Sequence, residues 1–561
     1  MNQPNATPKQ IPVAEPDLSG NEERFVVDAM RSSWISSSGK YLDQFESQFA
    51  SDCGADTALG VCNGTVALHL ALMALDVRPG DEVLIPSLTY IATANACKYV
   101  GAEPIFIDVD EDTWCIDPTK LEAAITRKTR GIIAVHLYGH PADMDAINHV
   151  AAVHGLWVIE DAAEAHFARY KGRVVGSLAR CATFSFYGNK IITSGEGGAV
   201  TVSDAQLELR MRTLRGQGVD PTRRYFFPVT GYNFRMTNIA AAILCAQLER
   251  KEAIVSKRRQ IYSWYRERLC EIDGIGFQPV ADWAEITPWL MSVVIEQDFG
   301  LSRNTVALQL SEAGIDTRPF FIPLHRLPPF RHESQARREV LPVTDRLANS
   351  GLNLPTYTGM DEGTVDHICK ALAIIWRKSR RQGVGFHPSQ TTASIGRVAE
   401  PATNESYQSN ALSFEPLGVE HVDGLLEFLE TIARSGDMIH FHPHPFDLQT
   451  VQSLANEVLD VYYVALIERR VAAYGMLRGW KEGFDRPSLG IAVSPEHRNR
   501  GLGRMFILFL HSIARSRGSQ EIRLTVSKDN CRAVQLYESL GYRFEELHEE
   551  TFEGTLKLAG R

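Results

Sequence analysis

The sequence predicts an α/β protein: a large domain with a mostly parallel sheet, a small α+β domain after it, and a second, smaller α/β domain towards the C-terminus. Three observations carry this prediction. From Gly60 to about Val202, short apolar runs alternate with helical patterns, as in a parallel sheet covered by helices. From Arg380 to Ser413 the composition turns to Ser, Thr, Gln, Asn and Gly with few large apolar residues, as in a linker. From Phe414 a new strand–helix alternation begins, and it includes a strand, a Gly-rich turn and a helix in direct succession.

Taken in order, residues 1–10 are polar, contain prolines and read as a tail. VLIP (Val83 to Pro86), PIFIDV (Pro104 to Val109), GIIAVHL (Gly131 to Leu137) and WVIED (Trp157 to Asp161) are predicted buried strands. Ala67 to Leu75, Ala92 to Val100 and Asp143 to His154 carry the helical patterns between them. Two further strands, Ala182 to Phe186 and Ala199 to Val202, flank a polar loop with one lysine, Lys190. Asn238 to Arg268 reads as one long helical stretch, rich in Ala, Leu, Arg and Glu. Pro288 to Glu296 opens the small α+β part, which ends in a helix over Asp361 to Arg377. The expected organisation is a first region over residues 11–378, a linker over 379–412 and a second region over 413–561.

Bulk properties exclude several classes. The 561 residues are 44% hydrophobic and 22% charged, an ordinary globular composition. A formal net charge of −10 argues against a general nucleic-acid binder. Nine cysteines are scattered with no CxxC pair, which points to reduced thiols and a cytoplasmic protein. MNQPNATPKQ has no basic start followed by an apolar core, so no signal peptide is expected. No apolar run approaches the roughly 18 residues of a membrane span.

The chemistry centres on FSFYGNKIITSGEGG (Phe184 to Gly198). A lysine on a loop behind a strand can form a Schiff base with an aldehyde when its surroundings lower its pKa; taken alone, it is a surface lysine in a turn. Asp161 ends a predicted buried strand, where a carboxylate needs a cationic partner such as a protonated pyridine. Asn63, Gly64 and Thr65 precede a helix, so their amides and the Thr hydroxyl can bind phosphate, or simply cap it. Ser185, on the strand before the lysine, is a further phosphate donor. Tyr90 can stack on a ring or fill the core.

Together NGTVALHLAL, GDEVLIPSLTYIATANA, VHLYGHPADMD, IEDAAEAH, FSFYGNKIITSGEGG, GYNFRMTNIAAAI and RPFFIPLH resemble the DegT/StrS-type sugar aminotransferases, of fold type I among pyridoxal phosphate enzymes. The resemblance implies pyridoxal 5′-phosphate as cofactor and Lys190 as its Schiff-base lysine. It places Asp161 at the pyridine nitrogen, Glu164 beside the phenolic oxygen, and Gly64, Thr65 and Ser185 at the phosphate. Asn233, in GYNFRM, matches a phosphate ligand that reaches across from a partner subunit, which implies a homodimer with shared sites. Arg318 and His325 match the region that meets a nucleotide-sugar. Many family members carry Gln where this chain has Glu164. DAAEA with YGNKIITSGEGG looks most like the branch that makes perosamine, which aminates carbon 4 of a nucleotide-linked 4-keto-6-deoxyhexose. Related sugar dehydratases carry histidine in place of the lysine, so Lys190 favours amino transfer, with L-glutamate as the implied donor. The PLH and GYNFRM motifs disfavour an amino acid aminotransferase.

The second region holds LGIAVSPEHRNRGLG (Leu489 to Gly503), a strand candidate, a Gly-rich turn and then a predicted helix over Arg504 to Arg517. Successive amides at such a helix start can bind a pyrophosphate. With the downstream LTVSKDNCRAVQLYESLGYRF, these residues resemble the GNAT acetyltransferases over about residues 412–552. The resemblance implies that Val493 and the stretch from Arg498 through Arg500 and Gly501 to Gly503 contact acetyl-CoA. Asn530 would lie near the pantetheine or the acceptor, and Tyr537 would protonate the departing thiolate; read without the resemblance, Tyr537 is a core residue of a helix. In HFHPHPF (His440 to Phe446), His442 or His444 can serve a sugar acceptor as base, the histidines can bind metal, or the loop is merely polar. The expected sum is an amine made on a nucleotide-sugar and then acetylated, for a polysaccharide or glycan. The alternatives are amination at carbon 3, another acyl group, or a C-terminal domain that only binds or supports.

Overall fold

The computed structural model describes residues 10–220, 222–382, 412–434, 445, 447–455, 457, 459–467, 470–498, 501–548 and 550–558. They fall into two compact units, one holding the described residues up to 382 and the other those from 412. Among the described residues no helix is long and apolar enough to cross a membrane.

The first unit is built on β1 (Thr57–Val61), β2 (Glu82–Pro86), β3 (Glu103–Ile107), β4 (Thr129–Val135), β5 (Trp157–Asp161), β6 (Arg169–Tyr170), β7 (Arg173–Val174), β8 (Cys181–Ser185) and β9 (Gly198–Val202). Seven of these form one sheet in the order β1-β9-β8-β5-β4-β2-β3. The pairs from β8 through β5, β4 and β2 to β3 are parallel, while β9 runs antiparallel to both β1 and β8. Alternate residues of each strand enter different cores, as the pleat dictates. Val83, Ile85, Ile133 and Ile159 join the core under the helix Gly64–Ala74, whereas Leu84, Ile132 and Val158 join the core around Phe45 and Phe49. Helices on both faces explain why the parallel strands read as unbroken apolar runs.

The long helical stretch expected over Asn238 to Arg268 is two helices, Asn238–Glu249 and Lys251–Leu269. Arg250 between them leaves helical geometry (φ −111°, ψ 6°), and its guanidinium is held by Asp17 at 2.9 Å. The second helix carries the chain from one core to another: Leu244, Leu248 and, past the break, Ile254 pack in the large domain, and Ile261 and Tyr265 in the small one.

The small domain adds β10 (Ile275–Phe277), β11 (Ala284–Glu285), β12 (Met291–Ile295), β13 (Arg318–Pro319) and β14 (Gly351–Leu354). Four make an antiparallel sheet in the order β10-β12-β14-β13, while β11 pairs with β6 beside β7 and so joins the small domain to the large one. The last helix runs over Glu362–Gln382, past the boundary expected at residue 378. Its final turn is anchored, with Ser379 Oγ donating to Phe299 O at 2.8 Å and Arg380 paired with Asp273 at 3.0 Å.

The second unit holds β15 (Ser413–Pro416), β16 (Val461–Ile467), β17 (Arg470–Arg478), β18 (Ser488–Val493), β19 (Glu521–Ser527), β20 (Arg543–His548) and β21 (Thr551–Lys557), in the order β15-β16-β17-β18-β19-β21-β20. All pairs are antiparallel except β18 with β19, whose pairing is confined to Ser488 and Arg523.

Candidate active site

The carboxyl ends of the parallel strands are where an α/β sheet offers a crevice, and there the first unit has a cavity of about 610 Å³. Gly64, Thr65, Tyr90, Asp161, Glu164, Ser185, Lys190 and Arg318, scattered over more than half of the first unit's sequence, all line it. Asp161 is the last residue of β5 and Ser185 the last of β8, so the sheet itself fixes both.

Lys190 lies in the loop joining β8 to β9, with its amide donating to Tyr187 O at 2.9 Å. Its side chain is 11% exposed, and Nζ stands 3.7 Å from Glu164 Oε1 and 3.9 Å from the ring centroid of Trp289. Burial pulls the lysine's pKa below its ordinary value, against the opposing charges of Glu164 and Asp161. Glu164 in turn is pushed up to about 7, chiefly by burial, while Lys190 and the Tyr138 amide (3.1 Å) pull the other way. At neutral pH this carboxyl therefore holds a proton part of the time. Burial also raises the pKa of Asp161, although Thr93 Oγ1 donates to it at 2.9 Å and the Ala163 amide at 3.3 Å. A buried carboxylate whose hydrogen bonds come from neutral donors, with the charge of Lys190 acting on it, still favours a cation in the cavity beside it.

The other end of the cavity suits an anion. Asn63 caps the helix Gly64–Ala74 by accepting from the Val66 amide at 2.9 Å, so the cap reading of NGT is correct. The amides of Gly64 and Thr65, at the first two helical positions, have no partner within a helix and lie at its positive end. A Cβ on Gly64 would come within 2.7 Å of Ser185 Cβ, so only glycine lets this helix start approach β8. Phosphate donors, a buried carboxylate and a buried lysine in one cavity are the donor set that pyridoxal phosphate requires, and the residues present fit it. Tyr90 is 58% exposed and tilted against Phe321 at 5.9 Å between centroids, at the cavity rather than in the core.

Two expected residues lie elsewhere. His325 does not line the cavity: its amide donates to Ser87 Oγ at 3.2 Å, its Nδ1 lies 2.8 Å from the same oxygen, and its Nε2 is 3.3 Å from Asp345. The turn after Pro323 thus directs the ring back to the end of β2. Asn233 is exposed and bridges Gly216 through its backbone, away from its own chain's cavity. Sequence reasoning missed Thr93, Trp289, Phe321 and Asn353, which also line the cavity. Thr93 follows Tyr90 by about one helical turn, a spacing that offered a signal; Trp289 beside β12 offered none.

In the second unit β18 leads through a turn to the helix Leu502–Ser516, two residues earlier than expected. Gly501 caps that helix with φ +81° and open space where a Cβ would stand. Arg498 Nε donates to Val493 O at 3.0 Å, which folds the turn back on the strand, and Gly503 packs near Val493 and Leu536. Asn530 caps the helix Cys531–Ser539 by accepting from the Ala533 amide at 3.2 Å. Tyr537 is 7% exposed, packed edge-on against Tyr542 at 5.4 Å, and burial pushes its hydroxyl up. Both therefore occupy structural places, whatever further part they take. Arg500, His442 and His444 lie outside the described residues.

A buried lysine opposite a buried carboxylate, with a helix start for phosphate at the sheet's carboxyl edge, defines a pyridoxal phosphate-dependent transferase. The chain belongs to the DegT/DnrJ/EryC1/StrS aminotransferase family, which matches residues 16–373, and residues 426–542 match the Acetyltransferase (GNAT) family. The chain is similar to the GDP-perosamine synthase of Caulobacter vibrioides, 47% identical over 65% of this chain and 97% of that protein. It is 39% identical to the dTDP-3-amino-3,4,6-trideoxy-alpha-D-glucose transaminase of Streptomyces venezuelae, over 56% of this chain and 82% of that one. Among solved structures, S. venezuelae DesV in complex with a ketimine intermediate superposes with a TM-score of 0.61, at 34% identity, over 66% of this chain and 99% of that one. The first unit is thus an aminotransferase that uses pyridoxal phosphate, and the second is of an acetyltransferase family that uses acetyl-CoA.

Proposed function

We propose that the protein transfers an amino group from L-glutamate to carbon 4 of a nucleotide-linked 4-keto-6-deoxyhexose and then acetylates the new amine from acetyl-CoA, as two steps towards a polysaccharide or glycan. The observation that carries the first step is Lys190, buried between Glu164 and Trp289 in the same cavity as Asp161 and the Gly64 helix start. Likeness to a GDP-perosamine synthase over nearly that protein's full length supports the sugar class and the carbon-4 preference.

Pyridoxal phosphate, when bound, supplies the electron sink that carries the amino group from donor to acceptor. The chain's residues do the rest. Asp161 holds the ring nitrogen's proton. The Gly64 and Thr65 amides and Ser185 hold the phosphate, and Tyr90 covers the ring. Glu164, its carboxyl pushed up to about 7 by burial, would lie beside the phenolic oxygen and could donate to it or accept from it. Lys190 Nζ, its pKa lowered by burial, would serve as the general base and acid that moves the proton between the cofactor carbon and the sugar carbon. Arg318, exposed at the cavity edge, meets the nucleotide-sugar. Asn233, exposed and away from its own cavity, completes the phosphate site of a second copy, so the active form is a homodimer. In the second unit the amides around Gly501 and Gly503 hold the pyrophosphate of acetyl-CoA, and Tyr537 returns a proton to its thiolate.

The test is mass spectrometry of products from a panel of nucleotide-linked keto sugars with glutamate, with and without acetyl-CoA. A 4-acetamido sugar formed only when acetyl-CoA is present is the expected result. Free amino sugar alone, beside acetylation of an unrelated amine, would reject the coupling. Likeness to the 3-amino sugar transaminase favours one second reading, amination at carbon 3, which the same product spectra distinguish.

A further inference from the structure

Trp289 touches the lysine loop in two independent ways. Its ring centroid is 3.9 Å from Lys190 Nζ, and its indole N–H donates to the carbonyl of Asn189, the preceding residue, at 2.7 Å. The ring is 5% exposed and runs nearly parallel to Tyr138, 6.3 Å away, whose amide holds Glu164. Its own backbone is fixed as well. The Trp289 amide donates to Tyr138 O at 3.3 Å, and the buried Arg258 guanidinium donates to Trp289 O at 2.8 Å. A side chain anchored at backbone, ring face and ring edge has little freedom, and a fixed aromatic face attracts an ammonium group.

We propose that Trp289 is a positioning residue for Lys190: its ring face holds the amine in its charged form against the pull of burial, and its N–H fixes the loop that aims it. This rests on the reading of Lys190 as the cofactor-binding lysine. The other groups around the amine are Asp161, Glu164 and His166 from β5 and the turn after it, and Arg318 from β13. His166 is fully buried and held down to about 3, so it stays neutral. None of these is removed by changing Trp289; Leu or Phe there removes both the indole ring and its N–H, whereas fluorination of the indole changes the ring face and keeps the N–H.

The experiment strips the full-length protein of cofactor and follows capture of pyridoxal phosphate by absorbance across pH. Borohydride reduction and peptide mass spectrometry then identify the modified lysine. Only the neutral amine attacks an aldehyde, so the midpoint of the profile reports how strongly the ammonium form is held. Loss of the ring in Trp289→Leu moves the midpoint about 0.5–1.5 pH units lower, and Trp289→Phe, with a weaker ring face, moves it less. Protein made with fluorinated tryptophan throughout keeps the N–H and nearly the same shape, so it decides the matter even if Trp289→Leu does not fold; its midpoint also falls. Superimposable profiles for wild type and fluorinated protein overturn the inference about Trp289. A cofactor attached to a lysine other than Lys190 in the wild type overturns the reading beneath it.

Discussion

The cavity around Lys190 is lined from the ends of several strands and from a second domain, and its contact between Asn189 and Trp289 spans 100 residues of sequence. The glycine turn of the second unit is instead one continuous run from Val493 to Gly503. The first arrangement buries charged groups deeply enough to shift their titration. The second, among the described residues, is a backbone turn at a helix start, where Gly501 stands at φ +81°. A non-local site can tune a lysine and a carboxyl against each other; a local one supplies amide donors that hardly depend on pH. Substitutions should therefore act differently at the two sites.

The largest effect is expected from Lys190→Ala. It should reduce glutamate-dependent amino transfer by about 10²–10⁴-fold or more, the usual contribution of a general acid–base. Thiol release from acetyl-CoA with an amine acceptor should be unchanged, and a parallel fall in both would break the separation of the two sites. Asp161→Asn comes next, because it keeps the side chain's shape and removes the charge. Loss of one partner of a buried pair costs about 3–5 kcal/mol, so cofactor affinity measured by absorbance titration should fall by about 10²–10⁴-fold. Gly501→Ala puts a Cβ at φ +81°, a strain of about 1–2 kcal/mol. Calorimetry should show acetyl-CoA bound about tenfold more weakly, with amino transfer intact.

The smallest effect concerns pH. Glu164 titrates at about 7 when folded, against 4.5 ordinarily. A carboxyl raised in this way contributes stability that is full below its unfolded pKa and is lost as pH rises through its folded pKa. Thermal melts of the cofactor-free protein should therefore show the wild type losing a few degrees relative to Glu164→Gln between about pH 4.5 and 7. Equal slopes for the two proteins would place the carboxyl in a wetter setting than its burial suggests.

The parallel strands were legible because, covered on both faces, they read as short apolar runs, and WVIED even marked Asp161 as a strand end; the antiparallel edge strand β1 was not expected. Gly64, Thr65, Ser185 and Lys190 were legible through contiguous motifs. Trp289 was not, since a tryptophan beside a strand carries no sign of what it faces. The place of His325 was not legible, because RPFFIPLH marks a region, and only the turn after Pro323 decides that its ring returns to Ser87. The long helical stretch expected over Asn238 to Arg268 is helical but divided, because composition continues across Arg250 while the backbone leaves helical geometry there.

The antiparallel strand β9 has a consequence for the lysine. Ser185 faces Gly198 across the β8–β9 ladder, so residues 186–197 form a hairpin connection closed at its base by strand pairing. Closing so short a loop costs little entropy, and no crossover helix need shift to admit a cofactor. The same pairing ties two tasks to one register. A slip of a single residue would turn Ser185 to the opposite face of the sheet and shift the base of the lysine's loop at the same time. Ser185 and Lys190 would then leave the cavity together, so an insertion in β8 should be far more damaging than one in the tip of the loop.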